Sequence, residues 1–334
     1  MTVSLPDVLP PLAWFGLAMV AGFGALVWGA ERFVVGAANS ALNLGVSPLV
    51  IGLTVVGIGT SAPELLVGAV ASLDGAAALA VGNAIGSNIA NIALILGATA
   101  LVAPVHVKPG IVNRELPMLL IVTGATLILF WDGTLARLDG LLLAAGLALV
   151  LGWIGRSAAG KGPDSVKDEL DVEIEKRLGT AAALFWLFVG IALLVVGSRL
   201  LVWGAVGTAR LYGVSELVIG LTLVAVGTSL PELAASLAAA LARHHELALG
   251  NIIGSNVFNL LAVLAVPALL APGPVEAEVL TRDLPVMVLL TLALFAGAYA
   301  LDGRAGRIGR LQGALYLAAY AGYNAALYLD ARPA

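Results

Sequence analysis

The sequence predicts an all-α polytopic membrane protein with ten transmembrane helices, arranged as two inverted five-helix repeats. Three observations support this fold class: the composition, the number of apolar segments, and an internal repeat with a constant offset. Of the 334 residues, 60% belong to the hydrophobic class and 11% are charged, and the mean hydropathy is +1.02. A soluble domain carries roughly 25% charged residues, so the chain is expected to lie in a lipid bilayer.

Ten apolar segments are long enough to cross a bilayer, since a spanning helix needs about 20 predominantly apolar residues. The first has no basic leader and is therefore predicted to be a retained helix instead of a cleaved signal peptide. A highly charged stretch separates the fifth segment from the sixth and is interpreted as a solvated tether. In chain order the ten segments cover residues 11–37, 46–73, 79–101, 113–131, 138–156, 180–207, 214–241, 247–270, 283–301 and 308–329.

Two sequence blocks occur twice, each time 168 residues apart. The block Gly-Thr-Ser-Ala-Pro-Glu at 59–64 returns as Gly-Thr-Ser-Leu-Pro-Glu at 227–232. The block Gly-Asn-Ala-Ile-Gly-Ser-Asn at 82–88 returns as Gly-Asn-Ile-Ile-Gly-Ser-Asn at 250–256, and an asparagine follows three residues later in each copy. Because the offset is the same for both blocks, the chain is predicted to contain one duplicated structural unit.

Five helices per copy is an odd number, so the second copy must enter the membrane from the opposite side. Such inverted repeats are typical of secondary transporters, which bind their substrate near the bilayer midplane. The first repeat is predicted at 1–156, with its motif at 57–96, and the second at 180–334, with its motif at 225–264. A linker at 157–179 joins them.

The distribution of basic residues predicts the orientation. Eleven Lys and Arg residues fall in one set of alternate loops and four in the other. The positive-inside rule places the richer set in the cytoplasm. The linker is then cytoplasmic, and both termini lie outside.

Each repeat carries one carboxylate within an apolar segment, Glu64 in the first and Glu232 in the second. A carboxylate at membrane depth is costly and is by default a functional-site hypothesis. Thr60 and Gly57 precede Glu64 by four and seven residues, so they share its helix face. The matching positions in the second repeat are Thr228 and Ala225.

Pro63 is predicted to break the helix beside Glu64, because it has no amide hydrogen to bond the carbonyl four residues back. Backbone that leaves the helix at membrane depth is tolerated where it lines a cavity. Carbonyls between Gly57 and Thr60 are therefore expected to act as further oxygen ligands. Pro231 repeats this arrangement beside Glu232.

The segments that follow the two acids add hydroxyl and amide oxygens at i,i+4 spacing, Ser87 with Asn91 and Ser255 with Asn259. The complete set of oxygen ligands suits a hard cation such as Ca²⁺, which takes six to eight oxygens and tolerates irregular geometry. Two carboxylates balance one Ca²⁺ or are shared among several Na⁺. The sequence therefore predicts a cation site between the repeats.

Other kinds of site are disfavoured. The chain has no cysteine, which excludes disulfides and thiolate metal sites. His244 and His245 are assigned to a loop and His106 to a helix end, away from the bilayer midplane. Nothing resembles a basic nucleic-acid footprint, and no cofactor is expected.

The paired blocks resemble the α-repeats of the calcium/cation antiporter superfamily, most of all the compact microbial sodium/calcium exchangers. The likeness covers nearly the whole chain. It implies four ion sites in a diamond around two acidic residues. It also implies that helices one and six slide as a unit across the other eight, exposing the site to each side of a prokaryotic cell (inner) membrane in turn.

Matching the motifs assigns a role to each candidate residue. The resemblance implies that Glu64 and Glu232 bind both calcium and sodium, and that backbone oxygens of Thr60 and Thr228 complete the calcium site. It also implies an inward-side sodium site formed by Gly57 with Ser87, and an outward-side sodium site formed by Ala225 with Ser255. Asn91 and Asn259 would line the middle of the site.

Asn259 departs from the pattern of the superfamily. Many relatives carry an aspartate at this position, and the potassium-dependent members use an acid there. The chain has asparagine at both matching positions, Asn91 and Asn259, so no potassium requirement is expected.

The sequence as a whole predicts an electrogenic Na⁺/Ca²⁺ antiporter that works by alternating access and is not an enzyme. Its partners are expected to be Ca²⁺, Na⁺ and the lipid bilayer, with a monomer as the transport unit. The alternative within transport is a H⁺/Ca²⁺ or broader divalent-cation antiporter in which the two glutamates titrate. A cation channel is less favoured, because a pore is usually built at an oligomer axis.

Overall fold

The computed structural model describes residues 10–159, 177–213, 225–299 and 306–330. Most of the predicted linker, both chain ends and the beginning of the predicted seventh span lie outside these ranges, as do residues 300–305. The described residues are mostly helical, with four short strands.

The first half begins with a long helix, α1, and continues through a broken helix into the segments that carry the candidate ligands. Several helices contain π-helical turns, labelled π1 to π3 here. The elements are α1 (Pro11–Leu44), α2 (Pro48–Ile51), π1 (Gly52–Val56), α3 (Gly57–Thr60), α4 (Ala62–Leu73), α5 (Ala77–Ala90), π2 (Asn91–Leu96), α6 (Gly97–Val102), β1 (Val105–Val107), π3 (Ile111–Glu115), α7 (Leu116–Leu129), β2 (Thr134–Leu135) and α8 (Arg137–Ala159).

The second half repeats this order. Helices α4 and α5 recur as α11 and α12 with the same lengths and the same 168-residue offset, and π2 and π3 recur at the matching positions. The elements are α9 (Thr180–Leu211), α10 (Ala225–Thr228), α11 (Leu230–Leu241), α12 (His245–Phe258), π4 (Asn259–Val263), α13 (Ala265–Leu270), β3 (Gly273–Pro274), π5 (Val279–Asp283), α14 (Leu284–Ala298), β4 (Gly306–Ile308) and α15 (Arg310–Asp330).

Seven helices in the described part of the chain are long and apolar enough to cross a membrane, and the bent pair Pro48–Thr60 and Ala62–Leu73 makes an eighth span. Helix α11 has 12 residues and is shorter than a span, because the helix is interrupted at Ser229. The residues that precede α10 lie outside the described ranges. Helix α15 is not among the candidate spans. The protein is a polytopic helical membrane protein, and the number ten stays a prediction.

The short strands show that the halves are inverted. Strand β1 pairs antiparallel with β4, and β2 pairs with β3. One span, π3 with α7, separates β1 from β2, so the two sheets lie at opposite membrane faces. Strand β3 is the repeat equivalent of β1 yet lies with β2. Equivalent positions of the two halves therefore lie at opposite faces of the membrane. These strands were not predicted from the sequence, and the prediction that His106 lies at a helix end is wrong, because His106 lies on β1.

The spans that carry the candidate ligands lie at the centre of the bundle. In the most apolar stretches of Ala77–Val102 and His245–Leu270, 72% and 83% of the residues are buried, against 17% for Pro11–Leu44. Helix α12 packs against α2, π1 and α3 of the other half. Gly254 permits this approach, because a Cβ there would lie 2.7 Å from the carbonyl oxygen of Leu53. The two halves thus meet at the site itself.

Helices α1 and α9 pack together along their length as an antiparallel pair. Gly22 approaches Leu201, whereas Gly36, further along α1, approaches Leu187. A Cβ on Gly36 would lie 2.2 Å from the backbone nitrogen of Leu187, so the two backbones touch at this point. Glycines allow such close helix approach in membranes.

Candidate functional site

Both candidate acids lie in the first turn of a helix that begins at a break. Ser61 (φ −83°, ψ 7°) interrupts the helix before α4, and Ser229 (φ −88°, ψ 3°) does the same before α11. The helix bends by 42° at Ser61. The break predicted from Pro63 is confirmed, and it gives each glutamate a position at the positive end of a helix dipole, which favours negative charge.

The carbonyl of Gly57 is not wholly released by the break. It accepts a hydrogen bond from the Ser61 amide at 3.2 Å. A carbonyl oxygen has two lone pairs, so one of them is already used. Gly57 itself is buried against the backbone of Gly254, where a Cβ would lie 2.9 Å from the carbonyl carbon.

The two glutamates are buried and incompletely hydrogen-bonded. Glu64 is 1% exposed and Glu232 is 2% exposed, and one carboxylate oxygen of each, Oε2, has no hydrogen-bond partner. The hydroxyl of Ser61 donates to Oε1 of Glu232 at 3.3 Å, which joins the break in one half to the acid of the other. A buried acceptor without a donor is expensive, and a bound cation is the partner that would satisfy it.

Thr60 contacts two residues of the other half. Its hydroxyl lies 3.2 Å from Oδ1 of Asn251 and 3.4 Å from Oγ of Ser255, and it shares its one proton between Asn251 and the carbonyl oxygen of Val56, 3.1 Å away. Both Thr60 and Ser255 are fully buried. The structure thus brings together two predicted ligands that are 195 residues apart in the chain. Thr228, the repeat equivalent of Thr60, is half-buried on α10.

The candidate asparagines begin π-helical turns at equivalent positions. Asn91 opens π2 and Asn259 opens π4, and such turns are frequent at functional sites. Nδ2 of Asn91 donates to Oδ1 of Asn256 in the other half at 3.0 Å, and Oδ1 of Asn259 is buried without a partner. This neutral amide oxygen without a partner is a further acceptor for a cation.

A second pair of asparagines holds the backbone of the two acids. Nδ2 of Asn83 donates to the carbonyl of Glu64 at 3.1 Å, and Nδ2 of Asn251 donates to the carbonyl of Glu232 at 3.2 Å. Asn251 also donates to Oγ of Ser236 at 2.8 Å. The first half has Gly68 at the position of Ser236. From the sequence, helix packing or carbonyl bridging is favoured over ion binding for both asparagines, and the structure shows the carbonyl bridge.

The arrangement as a whole offers two carboxylates among neutral oxygens. Within the described ranges, no group of three or more His, Cys, Asp or Glu residues could hold a metal ion. The donor set therefore suits a hard cation that accepts hydroxyl, amide and carbonyl oxygens. Ser87 is also buried, on α5, and Ala225 begins α10, where only its backbone is described.

Comparison with known proteins identifies this architecture. The family model described as sodium/calcium exchanger protein matches residues 14–155 and 182–329. The chain belongs to the sodium/calcium exchanger family. Membership makes it an integral membrane cation antiporter and not an enzyme.

Individual relatives of the exchanger match over most of their length. The chain is 46% identical over 314 residues to the putative antiporter CaxA of Alkalimonas amylolytica, which covers 93% of this chain and 97% of the relative. It is 39% identical over 280 residues to the inner membrane protein YrbG of Escherichia coli, with 82% and 85% covered. A solved structure of the sodium-calcium exchanger NCX_Mj, soaked with 10 mM Na⁺ and without Ca²⁺, matches with a TM-score of 0.80 and 34% identity, and 95% and 99% of the two chains are covered.

Two contacts of the exchanger site were not predicted from the sequence. From the sequence alone, Ser61 is as compatible with packing as with ion binding, and Asn256 is favoured as a helix-packing or carbonyl-bridging group. The structure bonds Ser61 to Glu232 and Asn256 to Asn91. Both residues belong to the duplicated blocks, which is the only signal in the sequence that points to them.

Proposed function

We propose that the exchanger is a Na⁺/Ca²⁺ antiporter whose transported ions bind between Glu64 and Glu232. The observation that carries this proposal is the pair of buried carboxylates, each with one unpartnered oxygen, held at the meeting point of the two halves. Two negative charges match one Ca²⁺. A hydrogen-bonded pair of structural acids would instead have donors for all four oxygens.

The neutral ligands extend the site on both sides of the acids. Thr60 and Thr228 complete the calcium position. Gly57 with Ser87, and Ala225 with Ser255, form sodium positions toward the two membrane faces, while Asn91 and Asn259 line the middle. The buried Thr60–Ser255 contact supports a calcium position that adjoins the sodium position of Ser255. The unpartnered Oδ1 of Asn259 supports its place as an oxygen donor.

The proposal includes the electrical balance of exchange. Exchange of one Ca²⁺ for more than two Na⁺ moves net charge across the membrane, whatever the charge of the empty site. We propose that the exchanger works at such a ratio and is therefore electrogenic. Since every residue of the site comes from one chain, a monomer suffices as the transport unit.

We further propose that residues 1–156 and 180–334 are the two repeat units, with a cytoplasmic linker at 157–179 and both termini outside. The excess of basic residues in one set of loops supports the orientation. The membrane is the inner membrane of a prokaryotic cell, as the name of the Escherichia coli relative supports.

Calcium flux into proteoliposomes tests the function. Vesicles loaded with Na⁺ and diluted into Na⁺-free medium are expected to take up Ca²⁺, without any need for K⁺. An inside-negative potential set by valinomycin should slow this uptake, because net positive charge leaves with sodium. Uptake driven by a pH gradient alone would contradict sodium coupling and favour the H⁺/Ca²⁺ alternative.

Matched variants test the site. Glu64→Gln and Glu232→Gln keep the side-chain size and remove one charge each, so both are expected to abolish uptake. Glu31→Gln is the control, because Glu31 is an exposed residue of α1 outside the site. Calcium uptake that persists in either site variant would overturn the assignment of the two acids.

A further inference from the structure

The three histidines of the chain lie close to one membrane face, apart from the cation site. His106 is on β1, and His244 and His245 are at the turn from α11 into α12. Although 139 residues separate them in sequence, Nδ1 of His106 lies 3.4 Å from Nε2 of His245, and the ring centroids are 5.0 Å apart. The fold therefore builds an imidazole pair from its two halves.

The separation of the two nitrogens suits a shared metal ion better than a hydrogen bond. A hydrogen bond between the two rings at 3.4 Å is long and weak, since N–H donors lie about 2.7–3.2 Å from oxygen acceptors. Two imidazole nitrogens bound to one tetrahedral Zn²⁺ at about 2.0–2.1 Å are separated by about 3.3–3.4 Å. The observed 3.4 Å equals this distance, with the two rings tilted by 59°.

The surroundings leave the pair open to solvent. The His106–His245 contact is exposed, so water can complete the coordination of an ion there. Two neighbouring residues neutralise each other, since Nζ of Lys108, just after β1, lies 2.7 Å from Oε1 of Glu246 on α12. Arg307, opposite His106 on β4, and Arg243, before His245, are opposing charges that limit the affinity that the pair can reach.

We propose that His106 and His245 bind a divalent transition metal ion of the Zn²⁺ type. The ion ties β1 to the start of α12 and so joins the span that carries Asn91 to the span that carries Ser255. The chain has no cysteine and no fourth histidine, so it offers no second imidazole pair and no thiolate to compete. The site is separate from the oxygen-lined site between the two glutamates, whose ligands suit harder ions.

Calorimetric titration of Zn²⁺ into the full-length protein in detergent tests the proposal, with a purification tag that contains no histidine. We expect one ion per chain and a rise in melting temperature, as for any ligand that binds the folded state. His106→Gln and His245→Gln should each weaken binding roughly tenfold or more, because each removes one of two protein ligands. His244→Gln is the matched control and should bind as the wild type does.

Further measurements separate the alternatives. Monodispersity on size exclusion and calcium flux in the absence of Zn²⁺ confirm that each variant is folded, because the histidines lie outside the proposed transport site. The double variant Glu64→Gln/Glu232→Gln should retain the bound Zn²⁺. Loss of Zn²⁺ in that variant, unchanged affinity in both histidine variants, or equal loss in His244→Gln would overturn the proposal.

Discussion

Replacing Asn251 by alanine tests how the backbone of the second acid is held. The change removes two buried hydrogen bonds that Asn251 donates, to the Glu232 carbonyl and to Ser236, and the share of the Thr60 hydroxyl proton that Asn251 accepts. Asn83→Ala at the equivalent position removes one, to the Glu64 carbonyl. Side-chain hydrogen bonds inside a membrane protein contribute about 0.6 kcal/mol each. Asn251→Ala is therefore expected to lower the free energy of unfolding by about 2 kcal/mol, against about 0.6 kcal/mol for Asn83→Ala.

Reversible unfolding by SDS in mixed micelles measures both values in the same buffer. The apparent affinity for Ca²⁺, measured by flux in proteoliposomes, should also fall more in Asn251→Ala, because the first turn that carries Glu232 is no longer fixed. Equal losses of stability in the two variants, or a larger loss in Asn83→Ala, would refute the reasoning from hydrogen bonds.

Three other outcomes are expected. Gly254→Ala places a Cβ 2.7 Å from the Leu53 carbonyl oxygen and should cost about 1–3 kcal/mol of unfolding free energy, measured by the same SDS titration. Lys108→Met removes an ion pair whose lysine is 45% exposed, so it should cost less than about 1 kcal/mol and nothing measurable in high salt. Burial lowers the pKa of His244, so the unfolded chain takes up this proton first as the pH falls through its unfolded pKa of about 6.5. Thermal unfolding should accordingly show a larger loss of stability between pH 7 and pH 5 in the wild type than in His244→Gln.

Much of the fold follows from the repeated blocks. The constant offset predicted that α4 and α5 recur as α11 and α12, and the structure gives them equal lengths at that offset. Hydrophobic length alone also located most spans to within a few residues, because the bilayer sets the length of a spanning helix. The pairing of β1 with β4 was not predictable, since each strand is only three residues long and its partner lies about 200 residues away.

The site was predictable in its residues and not in its contacts. Glu64 and Glu232 stand out because a charged residue in an apolar membrane segment is costly and by default marks a functional site. The π-helical turns at Asn91 and Asn259 leave no mark in the apolar pattern, since one extra residue per turn barely changes the helical period. Nor does the sequence reveal that Asn91 bonds Asn256 across the halves, because that contact depends on how closely α12 approaches its neighbours.

Asn83 and Asn251 make different numbers of hydrogen bonds in the two halves, and this difference affects which state the empty carrier prefers. If the inverted halves were identical, exchanging their conformations would convert one access state into the other, and both would have the same free energy. Ser236 accepts a hydrogen bond from Asn251 in the second half, and the first half has Gly68 at the equivalent position, which has no side chain to do so. A single such bond of about 0.6 kcal/mol, made in one access state and broken in the other, would shift the populations roughly threefold. Small differences between the repeats thus bias the empty carrier toward one of its two access states.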